Sequence, residues 1–300
     1  TTAARQLADL LGVDLESISV DPTDGRVTKD AVARHVRDLL TSSAQPTIAS
    51  PGARPTITGA PPAVTLPAAT QEPTRVIKLS GVRGTIAKRM HGSLTDMAQL
   101  TLHLDADMDA VVADRTARKA VGAAPSYTDY VIAAAARALV IHPLVNSQII
   151  DTGVAVLPTV HIGMAVALDA GLIVPVITDT ATRSLDSLSA ESTRLATAAR
   201  ESALTLTATE GGTFSVSTLG MFGVDGFTPV INPPNTSILG VGRLRDDLVL
   251  DEAGNVTSTT RLTLSLTWDH RAFDGAPAAA FARTIAELLG DPSALDAPAG

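Results

Sequence analysis

Seven prolines fall between Thr41 and Thr74, and this segment limits what the chain can fold into. The prolines lie among Ala, Thr, Ser and Gly, with Arg54 and Glu72 as the only charged residues. A stretch of this composition cannot bury a core and behaves as an extended, semi-stiff tether. The chain is therefore expected to have three parts: a small domain at 1–40, a Pro/Ala-rich linker at 41–74, and a large domain at 75–300.

The composition argues against several classes of protein. The formal net charge is -8 and Lys and Arg are evenly spread, so we expect no nucleic-acid-binding surface. The most hydrophobic run, 131–140, is too short to span a bilayer and contains Arg137, so we expect no membrane role. The absence of cysteine excludes a protein thiol as nucleophile and fits a cytoplasmic protein. Because the sequence starts at Thr1 without Met or a signal peptide, we expect the natural chain to extend further toward the N-terminus.

The large domain alternates between strand and helix patterns. Leu alternates with polar residues over 100–105, which predicts one strand, and strand patterns dominate residues 213–267. Residues 127–141 predict a buried, alanine-rich helix, and residues 187–202 predict a more polar one. These patterns favour the α/β class, with a mixed sheet and packed helices forming an α+β two-layer sandwich.

A histidine and an aspartate lie four residues apart where the last predicted strand ends. Residues 262–267 alternate Leu with Thr or Ser, as expected of a strand with one buried face. His270 follows, and residues 276–289 carry apolar side chains at helical spacing. Asp274 is placed to cap that helix, and Pro277 is tolerated in its first turn. His270 is thus a candidate general base at a rigid strand end, whereas no His, Asp and Glu cluster has metal-ligand spacing.

The segment 264–276 (LSLTWDHRAFDGA) closely resembles the active-site signature of the dihydrolipoamide acyltransferases of 2-oxo acid dehydrogenase complexes. Four further blocks resemble that family in the same order, and together they extend over residues 79–290. They are 79–90 (LSGVRGTIAKRM), 142–147 (HPLVNS), 161–166 with 171–176 (HIGMAV, GLIVPV), and 211–220 with 231–234 and 238–242 (GGTFSVSTLG, INPP, ILGVG).

This resemblance implies a chloramphenicol acetyltransferase-like fold, and trimers in which neighbouring subunits share each active site. It implies acyl transfer between a dihydrolipoyl thiol and coenzyme A, with the lipoyl group on a domain absent from this chain. His270 would be the base, Ser217 the donor to the oxyanion, and Asp274 would orient the histidine. Ser215 and, more weakly, Thr213 are alternatives to Ser217. The coenzyme A channel would be lined by residues of the third block: His161, Gly171, Leu172, Val174 and Pro175.

Residues 1–40 predict two short helices around a loop, with Thr28 able to cap the second. Residues 4–7, 12–15 and 25–29 resemble the peripheral subunit-binding domain of the same acyltransferases. The resemblance implies that Arg5, Arg26 and Lys29 form a basic face for acidic partners, namely the 2-oxo acid dehydrogenase (decarboxylase) and dihydrolipoamide dehydrogenase subunits. This chain departs from the family at residues 20–22 (VDP), where a Gly-Thr-Gly loop is usual, and the added carboxylate weakens attraction to an acidic partner. A helical cap on the large domain is the alternative.

Two other functions stay open at this point. One is a stand-alone, coenzyme A-dependent acyltransferase for a small molecule, which would have no use for residues 1–40 and the linker. The other is a non-catalytic scaffold of the same family that only docks partner subunits, which would have no need of His270 opposite Ser217. Of the other histidines, His103, His142, His91 and His35 are weaker candidates than His161.

Overall fold

The computed structural model describes residues 74–122, 124–168, 171–250 and 254–296, and in the N-terminal region residues 4, 5, 13, 18, 26–28, 31, 32, 34 and 35. The chain divides into two compact units, Thr1–Thr74 and Arg75–Gly300. Lys29, the departure at 20–22 and, apart from Thr74, the linker lie outside the described residues.

The N-terminal unit has a small apolar core. Ala4, Ile18 and Val32 are buried together, and Val13, Val27 and Ala31 pack against them. The Thr28 hydroxyl accepts a hydrogen bond of 3.3 Å from the backbone N–H of Ala31, which is the predicted helix cap. Arg5 and Arg26 are exposed, so their charges lie at the surface of this unit.

The large unit contains five α-helices among its described residues. Their bounds are α1 Gly81–Asp96, α2 Asp109–Ala120, α3 Tyr127–Ile141, α4 Leu185–Arg200 and α5 Gly275–Gly290. Helix α3 has the predicted bounds, and it begins with a reciprocal pair of cap hydrogen bonds between Ser126 and Asp129. Eleven of its residues are buried, from Asp129 to Leu139, in accord with its alanine-rich composition. In the described part of the chain, no helix is long and apolar enough to cross a membrane.

The strands form one seven-stranded mixed sheet and two small hairpins. The sheet has the order β1-β11-β9-β8-β4-β7, with β10 also paired to β11. Strands β8 and β9 are parallel, as are β4 and β8, whereas β11 runs antiparallel to β1, β9 and β10. The bounds are β1 Gln99–Asp107, β2 Ser147–Ile150, β3 Gly153–Val156, β4 Ile162–Met164, β5 Val166–Leu168, β6 Gly171–Ile173, β7 Val176–Ile177, β8 Phe214–Thr218, β9 Ser237–Val241, β10 Arg245–Leu250 and β11 Val256–Asp269.

Helices pack on one face of this sheet and enclose the main core. Phe214 of β8 and Phe281 of α5 are fully buried, and their rings meet edge to face with centroids 5.7 Å apart. Leu262, Leu264 and Leu266 of β11 belong to the same core. The predicted α/β class, with helices layered on a mixed sheet, is confirmed.

The opposite face of β11 differs from the prediction of one buried face. Ser265 and Thr267 are also buried, and Gly226 of the loop before β9 packs against Ser265. Their hydroxyl groups find partners on β1: Thr267 pairs with Thr101 at 2.7 Å, and Ser265 with His103 Nδ1 at 2.9 Å. Both faces of this part of β11 are therefore buried. The Leu face packs in the apolar core, and the Thr and Ser face forms hydrogen bonds with β1.

Candidate functional site

The turn between β11 and α5 carries the predicted histidine. Strand β11 ends at Asp269 and α5 begins at Gly275, so His270 lies directly after the strand. Its side chain is 43% exposed, and its Nδ1 lies 3.6 Å from Oδ1 of Asp274. An imidazole that is both anchored at a strand end and open to solvent can exchange protons with a bound molecule.

Asp274 differs from its prediction in one respect. It occupies the N-cap position of α5, but its side chain makes no cap hydrogen bond. The carboxylate is 87% exposed and lies beside His270 instead. The helix start is therefore supported by Pro277 in the first turn and by the backbone bond from Ala278 N–H to the Asp274 carbonyl.

Aromatic packing stiffens the same turn. The indole N–H of Trp268 donates a 2.9 Å hydrogen bond to the carbonyl of Phe273, and the two rings stack with centroids 6.2 Å apart. The His270 ring lies 5.9 Å from the Trp268 ring. Trp268 is 2% exposed, so the His270 ring packs against a buried side chain that is held in place.

Sequence reasoning missed the ion pair that flanks His270. Asp269 has no exposed surface, and Arg271 binds its carboxylate through Nε at 3.0 and 3.1 Å and through Nη2 at 2.6 Å. Burial alone would raise the pKa of Asp269, but the hydrogen bonds from Arg271 and Ala98 outweigh it and keep that pKa below its usual value. The spacing of Asp269 and Arg271, on either side of His270, was the available signal.

The predicted serines lie on β8. Phe214 and Val216 face the helices, so Ser215 and Ser217 face the other side of the sheet. Ser217 is partly exposed, and its hydroxyl has no hydrogen bond among the described residues. Ser215 is 5% exposed. Thr213 is engaged with the backbone of His161, accepting from its N–H at 3.0 Å, so this third alternative has a structural contact.

A cavity of about 420 Å³ opens beside Ser215 on this face of the sheet. Val174 and Val176 line it, together with Gly163 and Asn235. The Asn235 side chain is buried, and its Oδ1 has no partner in the described part of the chain. A second cavity, of about 550 Å³, lies toward the helices, beside Thr218 and the start of α3.

Of the predicted channel residues, only Val174 lines the first cavity. Gly171 and Leu172 belong to the β5-β6 hairpin, and Leu172 is 49% exposed. The Pro175 carbonyl accepts from Met164 N–H at 2.8 Å, which ties the hairpin to β4. His161 Nδ1 accepts a 2.9 Å hydrogen bond from the backbone N–H of Asp179, so the segment that follows β7 holds its ring in place.

The strand register fixes the separation of Ser217 and His270 within one chain. Ser217 of β8 and Ser265 of β11 both pair with Gly240 of β9, so they lie at the same level of the sheet. His270 follows Ser265 by five residues, which is roughly 16.5 Å along the strands, and two strand spacings add about 9.5 Å across them. The two residues are thus about 19 Å apart, too far to act on one reacting atom.

The other described histidines have structural contacts. His142 Nε2 lies 2.8 Å from the Thr284 hydroxyl, and burial lowers the pKa of this imidazole. His91 Nδ1 lies 3.4 Å from the Thr95 hydroxyl on α1, and His103 pairs with Ser265. Among the described residues, no three His, Asp or Glu side chains could hold a metal ion.

Known proteins resemble this chain over most of its length. The profile of the family described as 2-oxoacid dehydrogenases acyltransferase (catalytic domain) matches residues 71–296. The dihydrolipoyllysine-residue acetyltransferase component of the acetoin cleaving system of Bacillus subtilis is 36% identical over 297 residues, covering 97% of this chain and 69% of that protein. The corresponding component of the Zymomonas mobilis pyruvate dehydrogenase complex is 33% identical over 294 residues, covering 96% and 64%. The chain therefore spans about two thirds of the length of these relatives.

Solved structures agree with the sequence matches. The dihydrolipoamide acetyltransferase of Azotobacter vinelandii has a TM-score of 0.72 at 31% identity, covering 79% of this chain and 99% of that one. A probable dihydrolipoamide acetyltransferase from Listeria monocytogenes has a TM-score of 0.69 at 29% identity, covering 74% and 96%. The predicted acyltransferase fold is thereby confirmed. With a family profile matching three quarters of its residues and relatives aligned over nearly all of them, the chain belongs to the 2-oxoacid dehydrogenase acyltransferase family.

Proposed function

We propose that this chain is the acyl-transferring core of a 2-oxo acid dehydrogenase complex, and that it moves an acyl group between a dihydrolipoyl thiol and coenzyme A. The observation that carries the proposal is His270, which is anchored at the end of β11, 43% exposed, and 3.6 Å from the Asp274 carboxylate. Relatives that match 96% or more of this chain, including its N-terminal unit, are acetyltransferase or succinyltransferase components of such systems.

His270 is suited to act as the general base. The attacking thiol must lose its proton, and a neutral imidazole can accept that proton at neutral pH. A proton on Nδ1 would face Asp274 and leave Nε2 free to accept the thiol proton. Asp274 then orients the ring and takes no proton itself.

Ser217 would donate to the oxyanion. The thiolate attacks the thioester carbonyl, and the tetrahedral intermediate carries a negative oxygen that a fixed hydroxyl can stabilise. When the intermediate collapses, the C–S bond to the leaving thiol breaks and His270 returns the proton to its sulfur. No thiol of this chain takes part, because the chain has no cysteine.

Two subunits would contribute to each site. The separation of about 19 Å within one chain favours pairing His270 of one subunit with Ser217 of its neighbour, in a trimer. The catalytic mechanism of the Azotobacter vinelandii enzyme involves a serine, a histidine and an asparagine. The asparagine follows that histidine at the spacing of His270 and Asp274, and the serine precedes it by almost the distance that separates Ser217 from His270.

The channel would run past the cavity beside Ser215. Val174 would supply its wall, and the hairpin that contains Gly171 and Leu172 its outer edge, which the Pro175 carbonyl ties to β4. His161 lies just before β4, where the backbone N–H of Asp179 holds its ring. A stand-alone acyltransferase and a non-catalytic scaffold are the alternatives. The first is disfavoured by relatives that match the N-terminal unit as well. The second is disfavoured by the exposed His270 together with a Ser217 hydroxyl that has no hydrogen bond within the described part of the chain.

The test of the reaction is a steady-state assay with free dihydrolipoamide and acetyl-, succinyl- and branched-chain acyl-coenzyme A. We expect turnover with at least one thioester, and a loss of about 10² to 10⁴ in turnover for folded His270→Ala. His103→Ala is the matched control and should retain activity. Normal turnover in His270→Ala, or no turnover of the intact chain with any thioester, contradicts the proposal.

The N-terminal unit would bind a peripheral dehydrogenase subunit through charge. We expect Arg5→Ala and Arg26→Ala to weaken binding to the decarboxylase or dihydrolipoamide dehydrogenase subunit, and added salt to weaken binding of the intact chain. Arg34→Ala, another exposed cation of this unit outside the predicted basic face, is the control. Titration calorimetry at two salt concentrations gives the affinities, and binding that is insensitive to salt and to both variants would refute the charge model.

A further inference from the structure

We propose that Asp269 and Arg271 are positioning residues for His270, and that their ion pair sets the turnover of the enzyme without contacting its substrates. The inference rests on the proposed role of His270 as the base. It arises from the contacts at the end of β11, where the residues on both sides of His270 bind each other and a third segment.

The Asp269 carboxylate is enclosed by donors. Arg271 contributes its backbone N–H at 3.1 Å and its guanidinium at 2.6 to 3.1 Å, and Ala98 contributes its backbone N–H at 3.2 Å. The carboxylate is fully buried, whereas 47% of the Arg271 side chain is exposed. A buried carboxylate bound by three separate N–H donor groups fixes the conformation of the residues that supply them.

The same segments hold the backbone of the histidine. His270 N–H donates to the Ala98 carbonyl at 2.9 Å, and Asp269 N–H donates to the Thr236 carbonyl at 2.8 Å. Ala98 therefore holds this short segment twice, once through the Asp269 side chain and once through the His270 backbone. Arg271 completes this set of contacts, because its backbone N–H and its guanidinium both donate to the Asp269 carboxylate.

This arrangement leaves the imidazole with little freedom. Its backbone is held by Ala98, just before β1, that of the preceding residue is held by Thr236, and its ring lies against Trp268 on one side. A general base displaced by about 1 Å can lose about 10²-fold in rate, because the reacting atoms must be held near attack distance. Loosening the Asp269 to Arg271 pair should thus lower kcat while leaving substrate binding unchanged.

The experiment compares Arg271→Lys, Arg271→Met and Asp269→Asn in the full chain. Lysine keeps the charge but loses the two-pronged contact, so we expect about a tenfold fall in kcat for Arg271→Lys and about a hundredfold fall for Arg271→Met. The KM values for dihydrolipoamide and acyl-coenzyme A should change less than about twofold. Arg194→Lys is the matched control, because Arg194 makes the same two-pronged contact with Glu191 on the exposed face of α4, and this variant should leave kcat unchanged.

The results separate a positioning role from a purely structural one. If Asp269→Asn does not fold, the two Arg271 variants still decide, because the Arg271 side chain itself is half-exposed. A kcat unchanged in folded Arg271→Met, or a loss that matches the fraction of unfolded protein, overturns the inference. Full activity in His270→Ala would overturn the proposed function instead, whereas inactive His270→Ala with normal Arg271→Met overturns this inference alone.

Discussion

At the scale of single residues, the structure separates two serines that the sequence could not rank. Ser215 is buried beside the 420 Å³ cavity, whereas Ser217 is partly exposed with a hydroxyl that has no partner among the described residues. An oxyanion donor must reach a bound molecule and must not be committed elsewhere. Ser217 meets both conditions, which favours it over Ser215 as the donor.

We therefore expect Ser217→Ala to lower turnover by about 10² to 10³ with little change in KM, since this hydrogen bond strengthens only in the transition state. Ser215→Ala should act mainly on KM, because its side chain lines the cavity. Steady-state kinetics of the two variants measures both effects. A large kcat loss in Ser215→Ala with normal kcat in Ser217→Ala would exchange their roles.

The positions of site residues could be predicted where their contact is local, whereas their catalytic roles stay predictions. His270 and Asp274 lie four positions apart in one turn, so their proximity follows from the sequence pattern. The contact of Asp269 with Ala98 joins residues far apart in the chain, and only the pairing of β1 with β11 brings them together. The cap hydrogen bond of Asp274 was predicted from position alone and is absent because its carboxylate lies beside His270.

At the scale of elements, helix α3 shows how a charge can hold a buried helix in place. Its bounds followed from periodicity, but the partners of Arg137 did not, because they lie on two distant loops. The guanidinium is buried and donates to the carbonyls of Arg183 at 2.7 Å and Leu295 at 3.0 Å. Burial lowers the pKa of Arg137, although the nearby Asp296 opposes this. Arg137 thus connects α3 to the loop before α4 and to the segment after α5.

Replacing Arg137 with Met should destabilise the large unit by about 3 kcal/mol, because it leaves buried carbonyls without donors. That corresponds to a fall of about 6 to 12 °C in the thermal midpoint for a unit of this size. Arg200→Met, at the exposed end of α4, is the matched control and should stay within about 0.5 kcal/mol of the parent. Thermal unfolding followed by circular dichroism checks both, and equal midpoints would show that Arg137 contributes no net stability.

At the scale of the whole molecule, the sheet register decides how a site could be assembled. Ser217 and His270 lie about 19 Å apart in one chain. Two inactive variants, one without His270 and the other without Ser217, should therefore form active sites when they assemble together. If inactive His270→Ala and Ser217→Ala chains are co-expressed equally and mix at random in closed rings, about a quarter of the interfaces should pair an intact His270 with an intact Ser217.

We expect the mixed assembly to regain a corresponding share of the parental activity. Separately purified homo-oligomers of each variant, combined after assembly, are the control and should stay inactive while subunits do not exchange. A co-expressed mixture no more active than its parents would refute the shared site. The family resemblance led us to expect a shared site, but the distance between Ser217 and His270 follows from no local sequence pattern, because it depends on how β8, β9 and β11 pair.

The strand register also has a consequence for the activity of a subunit that has not yet assembled. A newly made subunit could fold completely, with β8 and β11 in their final pairing, and still be catalytically silent. It would carry His270 of one site and Ser217 of another, and so could not consume acyl-coenzyme A before it assembles. Specific activity would then fall on dilution while the folded fraction stays constant. The specific activity would therefore measure the fraction of subunits that are assembled.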